Sequence, residues 1–161
     1  MTTANDVYKN LTELSITLPP ISVPAAAYVP YVQTGNLIFL SGNIARKDGQ
    51  AWVGQLGKNI SLGEGKAAAR VVAIGLLGTL HAAMAAKGKT LNDVTRIVKV
   101  MSLVNSTADF TDQHLVTNGA SELLVAVLGP EVGAHARSAV GLFELPFGIP
   151  VEVEAEVEIS A

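Results

Sequence analysis

The chain has 161 residues, no cysteine and a formal net charge of −3. That length suits one domain with a real core. The missing cysteines exclude disulfides, thiolate nucleophiles and cysteine-bound zinc together. Charged residues make up 16% of the chain, against about 25% in an average domain, and mean hydropathy is +0.39. The chain is short of charge for its surface: either the core is rich in Ala and Val, or, the favoured reading, apolar area is buried against further copies of the chain. There is no cluster of Lys and Arg to neutralise phosphates, so nucleic acid is a poor partner.

The start, Met1-Thr2-Thr3-Ala4-Asn5-Asp6-Val7, has no basic and apolar blocks in secretory order. A soluble, cytoplasmic protein without a membrane partner is expected. Val7, Leu11 and Leu14 have helical spacing, which predicts a short helix over 4–14. Pro19-Pro20 ends it, and 15–30 reads as an extended arm. Gly35-Asn36 marks a turn, and Leu37 to Ser41 a buried strand. Lys47-Asp48-Gly49-Gln50 is a hairpin-like turn, with Ala51-Trp52-Val53 as a short return strand.

Ser61-Leu62-Gly63-Glu64 is a capping box. It predicts a helix to about Ala86, with Ala69, Val72, Ala73, Leu76, Leu80 and Ala83 as its inner stripe. The apolar stretch 71–86 is shorter than the ~20 residues that a bilayer requires. Gly75 and Gly78 are costly inside a helix, and close packing against a sheet would explain them. Val94 to Val104 is rich in β-branched residues and predicts a central strand. A second helix over 112–127 turns Val116, Ala120, Leu123 and Val127 inward, and Gly129-Pro130 stops it. Ala136 to Phe143 is a further strand. Val151 to Ile159 alternates without a break, one face apolar and the other carrying Glu152, Glu154, Glu156 and Glu158. The order β-β-α-β-α-β-β fits an α+β fold: one mixed sheet of four to six strands with two long helices on one face.

Chemistry concentrates at two residues. Carboxylates about 7 Å apart on one strand face repel unless solvated or paired, and solvent accounts for Glu154, Glu156 and Glu158. Glu152 differs, because it opens its strand beside a Pro-rich loop. Arg137 stands in a strand of small and apolar residues. It is either paired with a glutamate of the last strand or aimed at a ligand carboxylate. If residues 136–143 and 151–159 form a hairpin, Arg137 lies opposite Val157 and Glu152 near Leu142, so the two do not meet within one subunit. His135 reads as a surface histidine or one that supports Arg137. Trp52 reads as a core or interface anchor, with no basic residues around it. His81, His114 and His135 show no metal-ligand spacing, and no GxSxG, P-loop or GxGxxG occurs.

Three blocks resemble the RidA/YjgF family, also called endoribonuclease L-PSP: Gly35 to Asn43, Val104 to Phe110 with Asn118 to Ser121 after a longer spacing than the family's, and Ala136 to Val140 continuing through Leu145-Pro146 to Val151-Glu152-Val153-Glu154. The resemblance spans about residues 20–160, with residues 1–19 as an N-terminal extension of a single domain. It implies a chorismate-mutase-like fold, a homotrimer with sites in clefts between subunits, and no metal or cofactor. It also implies hydrolysis of reactive enamines and imines, such as 2-aminoacrylate, to a 2-oxo acid and ammonia. The alternative is a trimeric module that binds a small carboxylate or 2-oxo acid without turnover. Matched residue by residue, Arg137 grips the substrate carboxylate and Glu152 positions or activates water. Tyr28 is the aromatic of the arm, with Tyr31 as its rival, and Ser41 and Asn118 lie near the cleft. Ala139 stands where the family often has cysteine, and Asn43 where it has glutamine. Those departures mark a divergent subgroup.

Overall fold

The computed structural model describes residues 6–161. The first helix, α1 (Val7–Glu13), starts at an Asp6 cap whose side chain accepts from the Tyr8 amide. The expected start at residue 4 lies outside the described residues. The arm that follows has no regular structure up to β1 (Tyr31–Thr34), a strand not expected from the sequence. It pairs with β2 (Leu37–Ile44) across a turn in which Gly35 takes φ +58°. β3 (Arg46–Lys47) and β4 (Gln50–Ala51) make the small hairpin, with both Asp48 and Gly49 at positive φ, as a two-residue turn of this kind requires.

The capping box forms as expected at the start of α2 (Leu62–Ala85), and every residue of the expected inner stripe is buried. At 24 residues α2 is long and apolar enough to cross a membrane by length and composition, longer than its apolar stretch suggests; 61% of that window is buried inside the fold, as in a core helix. Gly75 does face the sheet, against Asn43 of β2. Gly78 instead faces the arm, where a side chain would overlap the Pro19 carbonyl. Next come β5 (Val94–Asn105), α3 (Gln113–Leu128), β6 (Ala136–Leu142) and β7 (Val151–Ile159).

The main sheet has five strands in the order β1-β2-β7-β5-β6. β6 and β7 do not form a hairpin. Both flank β5, β6 running parallel to it and β7 antiparallel. A parallel pair requires a crossover, and α3 supplies it between β5 and β6. Arg137 is therefore opposite Val100, not Val157, and Glu152 is opposite Leu103, which faces Val140. α2 and α3 cover one face of the sheet, over Ile38, Leu40, Val100, Val153 and Val157. The two helices approach closely at Gly119, where a side chain would overlap the Lys66 carbonyl.

Candidate active site

Arg137 turns onto α3. His114, Asn118 and Ser121 lie at i, i+4 and i+7, one face of the helix. The guanidinium donates from Nη1 to Asn118 Oδ1 at 2.9 Å and to Ser121 Oγ at 3.1 Å, and from Nη2 to the His114 carbonyl at 3.0 Å. All three acceptors are neutral. The expected glutamate partner on the last strand is not there: the ion pairs among the described residues are Lys9–Glu13 and Lys66–Glu122. Of the five N–H donors of an arginine, Nε–H and one Nη2–H find no partner among the described residues, as many as a carboxylate takes in bidentate fashion. Ser121 is the residue that sequence reasoning missed. Its signal was its place on the same helical face as Asn118. His135 lies behind Ser121, with Nε2 2.9 Å from Ser121 Oγ and Nδ1 2.6 Å from the Gly133 carbonyl.

A second group gathers at the other end of the sheet. A bulge between Leu40 and Asn43 shifts the register of β2 on β7 and re-aims Ser41 and Gly42. Ser41 Oγ donates to the Val29 carbonyl at 2.6 Å, tying the arm to the strand. Gly42 lies against the Glu152 carboxylate, and a side chain there would overlap it. Glu152 alternates with the buried Val151 and Val153, so it points away from the helices. Burial, and then the charge of Glu154, push its carboxyl above the ordinary range. Tyr28 is half exposed and borders two cavities together with Ser41. One, of about 320 Å³, lies beneath the arm and includes Gly42, Val71, Ile74 and Phe147 in its lining. The other, of about 420 Å³, lies on the helix-free face of the sheet beside Phe39, Lys99 and Glu154. Tyr31 packs on the core instead.

The five matched residues thus fall into two groups, Arg137 with Asn118 and Tyr28 with Ser41 and Glu152. Ser41 and Arg137 sit on strands three spacings apart, roughly 14 Å at the usual strand separation, and Glu152 and Arg137 point to opposite faces. The sequence-based separation of Arg137 from Glu152 within one chain holds, although the hairpin offered for it does not. Trp52 has a basic neighbour after all, since Lys47 Nζ lies 5.0 Å from its ring centre. Glu158 is bonded as well as solvated, accepting from Thr95 Oγ1 at 2.9 Å and Asn36 Nδ2 at 3.3 Å.

A mixed sheet with two long helices on one face defines an α+β protein of the chorismate-mutase-like type. The family model Endoribonuclease L-PSP matches residues 20–159, and the chain belongs to that family, the RidA/YjgF proteins. Protein TCP17 of Trypanosoma cruzi is 44% identical over 155 residues, covering 96% of this chain and 94% of its own length. The solved structure of Atu1372 from Agrobacterium tumefaciens, a protein of unknown function, is 36% identical with a TM-score of 0.85, over 98% of this chain and 94% of that one. A putative endoribonuclease from Shewanella oneidensis shares the fold at TM-score 0.89 and 24% identity, over 96% of this chain and 100% of that one. Members of the family are typically homo-oligomeric.

Proposed function

We propose that this protein is a hydrolytic deaminase of reactive enamines and imines that bear a carboxylate, with sites in the clefts between subunits of a homotrimer. The observation that carries this is Arg137: a guanidinium held by three neutral acceptors, without a carboxylate, and with two donors to spare. A cation so oriented suits a planar anionic ligand. Glu152 supports the chemistry. Its carboxyl is pushed toward the range where a general base works at neutral pH. In one subunit it cannot reach a ligand on Arg137, so a neighbouring subunit has to complete the site. The helix-free face that would meet the neighbour exposes Val32, Phe39 and Val140, in keeping with the low surface charge.

In this mechanism Arg137 binds the substrate carboxylate and fixes the imine carbon, which supplies orientation. Glu152 takes a proton from water as the oxygen attacks that carbon. As the C=N bond becomes a single bond Glu152 returns that proton to the nitrogen, and the resulting carbinolamine passes its hydroxyl proton through Glu152 to the nitrogen as it expels ammonia, leaving the 2-oxo acid. The cavity beneath the arm gives the substrate's side chain room. The ribonuclease suggested by the family's description fits less well, because the chain carries −3 and its last strand presents four glutamates.

The test is release of ammonia and 2-oxo acid from an imine generated in situ by an amino acid oxidase. The protein should accelerate it, and Arg137→Ala should lower kcat/KM by about 100-fold or more, the worth of two charge-assisted hydrogen bonds. Acceleration that Arg137→Ala leaves intact rules out the clamp. No acceleration with any small imine favours carboxylate binding without turnover.

A further inference from the structure

Arg137 is held by a chain of hydrogen bonds whose direction follows from donors and acceptors alone. The Gly133 carbonyl can only accept, so His135 Nδ1, 2.6 Å away, donates to it. In the neutral ring Nε2 is then an acceptor, and the Ser121 hydroxyl donates to it at 2.9 Å. Ser121 Oγ is left with lone pairs for Arg137 Nη1 at 3.1 Å. The anchor of this chain is rigid: a side chain at Gly133 would overlap the α3 backbone at Leu124 and Val125. Burial holds the imidazole below its ordinary value; the Gly133 bond works against that, and the Arg137 charge adds to it. Around the ring, α3 presents the neutral Ser121, its own turn presents the Gly133 carbonyl, and β6 presents the charge of Arg137.

We propose that His135, acting through Ser121, is a positioning residue for Arg137, the pair fixing the guanidinium in the orientation that leaves Nε–H and one Nη2–H free for the substrate carboxylate. The inference rests on the reading of Arg137 as a carboxylate clamp. Neither Ser121 nor His135 touches the substrate. A long side chain held at fewer points keeps rotamer freedom that binding must then remove. A third acceptor, itself oriented, removes it beforehand.

The probes are pyruvate and its uncharged amide, pyruvamide, with dissociation constants measured by calorimetry. Ser121→Ala and His135→Leu should each weaken pyruvate binding by about 10-fold, the worth of a hydrogen bond to a charged group, and leave pyruvamide binding unchanged. The double variant should lose no more than either single one, because both changes cut the same chain. His135→Gln, whose amide oxygen can accept the Ser121 proton, should restore most of the affinity. Pyruvate binding that falls in Arg137→Ala but is normal in both Ser121→Ala and His135→Leu overturns the positioning role and leaves the clamp standing. Pyruvate binding that is absent, or indifferent to Arg137→Ala, removes the clamp and the pair with it. Equal losses for pyruvate and pyruvamide, or losses that add to about 100-fold in the double variant, assign both residues to folding alone and also overturn the proposal.

Discussion

Glu152 sets stability against chemistry at a single side chain. Its carboxyl is raised above the ordinary 4.5 by burial first and by Glu154 second. The folded state therefore favours the protonated form. That contribution to stability is complete below the ordinary value and is lost as pH rises through the raised one. At pH 7 the ionised group is a cost to the fold. Glu152→Gln should accordingly raise Tm at pH 7 and leave it unchanged at pH 3, as scanning calorimetry at the two values would show. The same variant should lower kcat by about 100-fold or more, since general base catalysis is worth that much; a variant that lost both Tm and activity would point to a structural carboxylate. Arg137 and Glu152 were legible in the sequence because each breaks a pattern, a cation among small residues and the first acid of an alternating strand. Ser121 was not. A serine in the middle of a helix resembles any polar filler until the neighbouring strand brings a guanidinium to it.

At the scale of elements, the legible parts were those specified locally. The capping box at Ser61 predicted α2 to within a residue, and period-two alternation predicted β7. The strand order was not local. Leu145 to Pro150 has the length and composition of a hairpin connection, yet β5 sits between the two strands it joins, because α3 carries the chain back to pair β6 in parallel. β1 was missed for a related reason: four residues at the edge of the sheet carry too few apolar positions to separate from the arm. The packing of α3 on α2 places Asn118 and Ser121 over β6, and it depends on the absence of a side chain at Gly119. Gly119→Ala should force the helices apart at a cost of about 1–3 kcal/mol, lowering Tm by roughly 3–10 °C in a chain of this length. It should also weaken pyruvate binding, although residue 119 itself makes no bond to Arg137. An unchanged Tm would mean that α2 yields without strain.

At the scale of the whole molecule, the low share of charged residues goes with a sheet face that has no helices over it. Val32, Phe39 and Val140 are all exposed there in one subunit, on strands to either side of the one that carries Glu152. Sequence alone could show that apolar area was in surplus, but not which face carried it. That depended on the strand order and on which side of the sheet the two helices chose.

The separation of Arg137 from Glu152 on opposite sides of one sheet has a genetic consequence. If each cleft joins the arginine of one subunit to the glutamate of the next, a trimer closed by rotation contains three such seams. A ring that mixes Arg137→Ala chains with Glu152→Gln chains then has one seam, whatever the ratio, to which one chain brings an intact Arg137 and the next an intact Glu152. Two inactive proteins unfolded and refolded together should therefore recover about a quarter of wild-type turnover at equal mixing, because about three quarters of the random rings are mixed and each of those has one working seam in three. Alleles dead on their own would rescue one another in the same cell. A protein whose two groups met within a single chain could never show this.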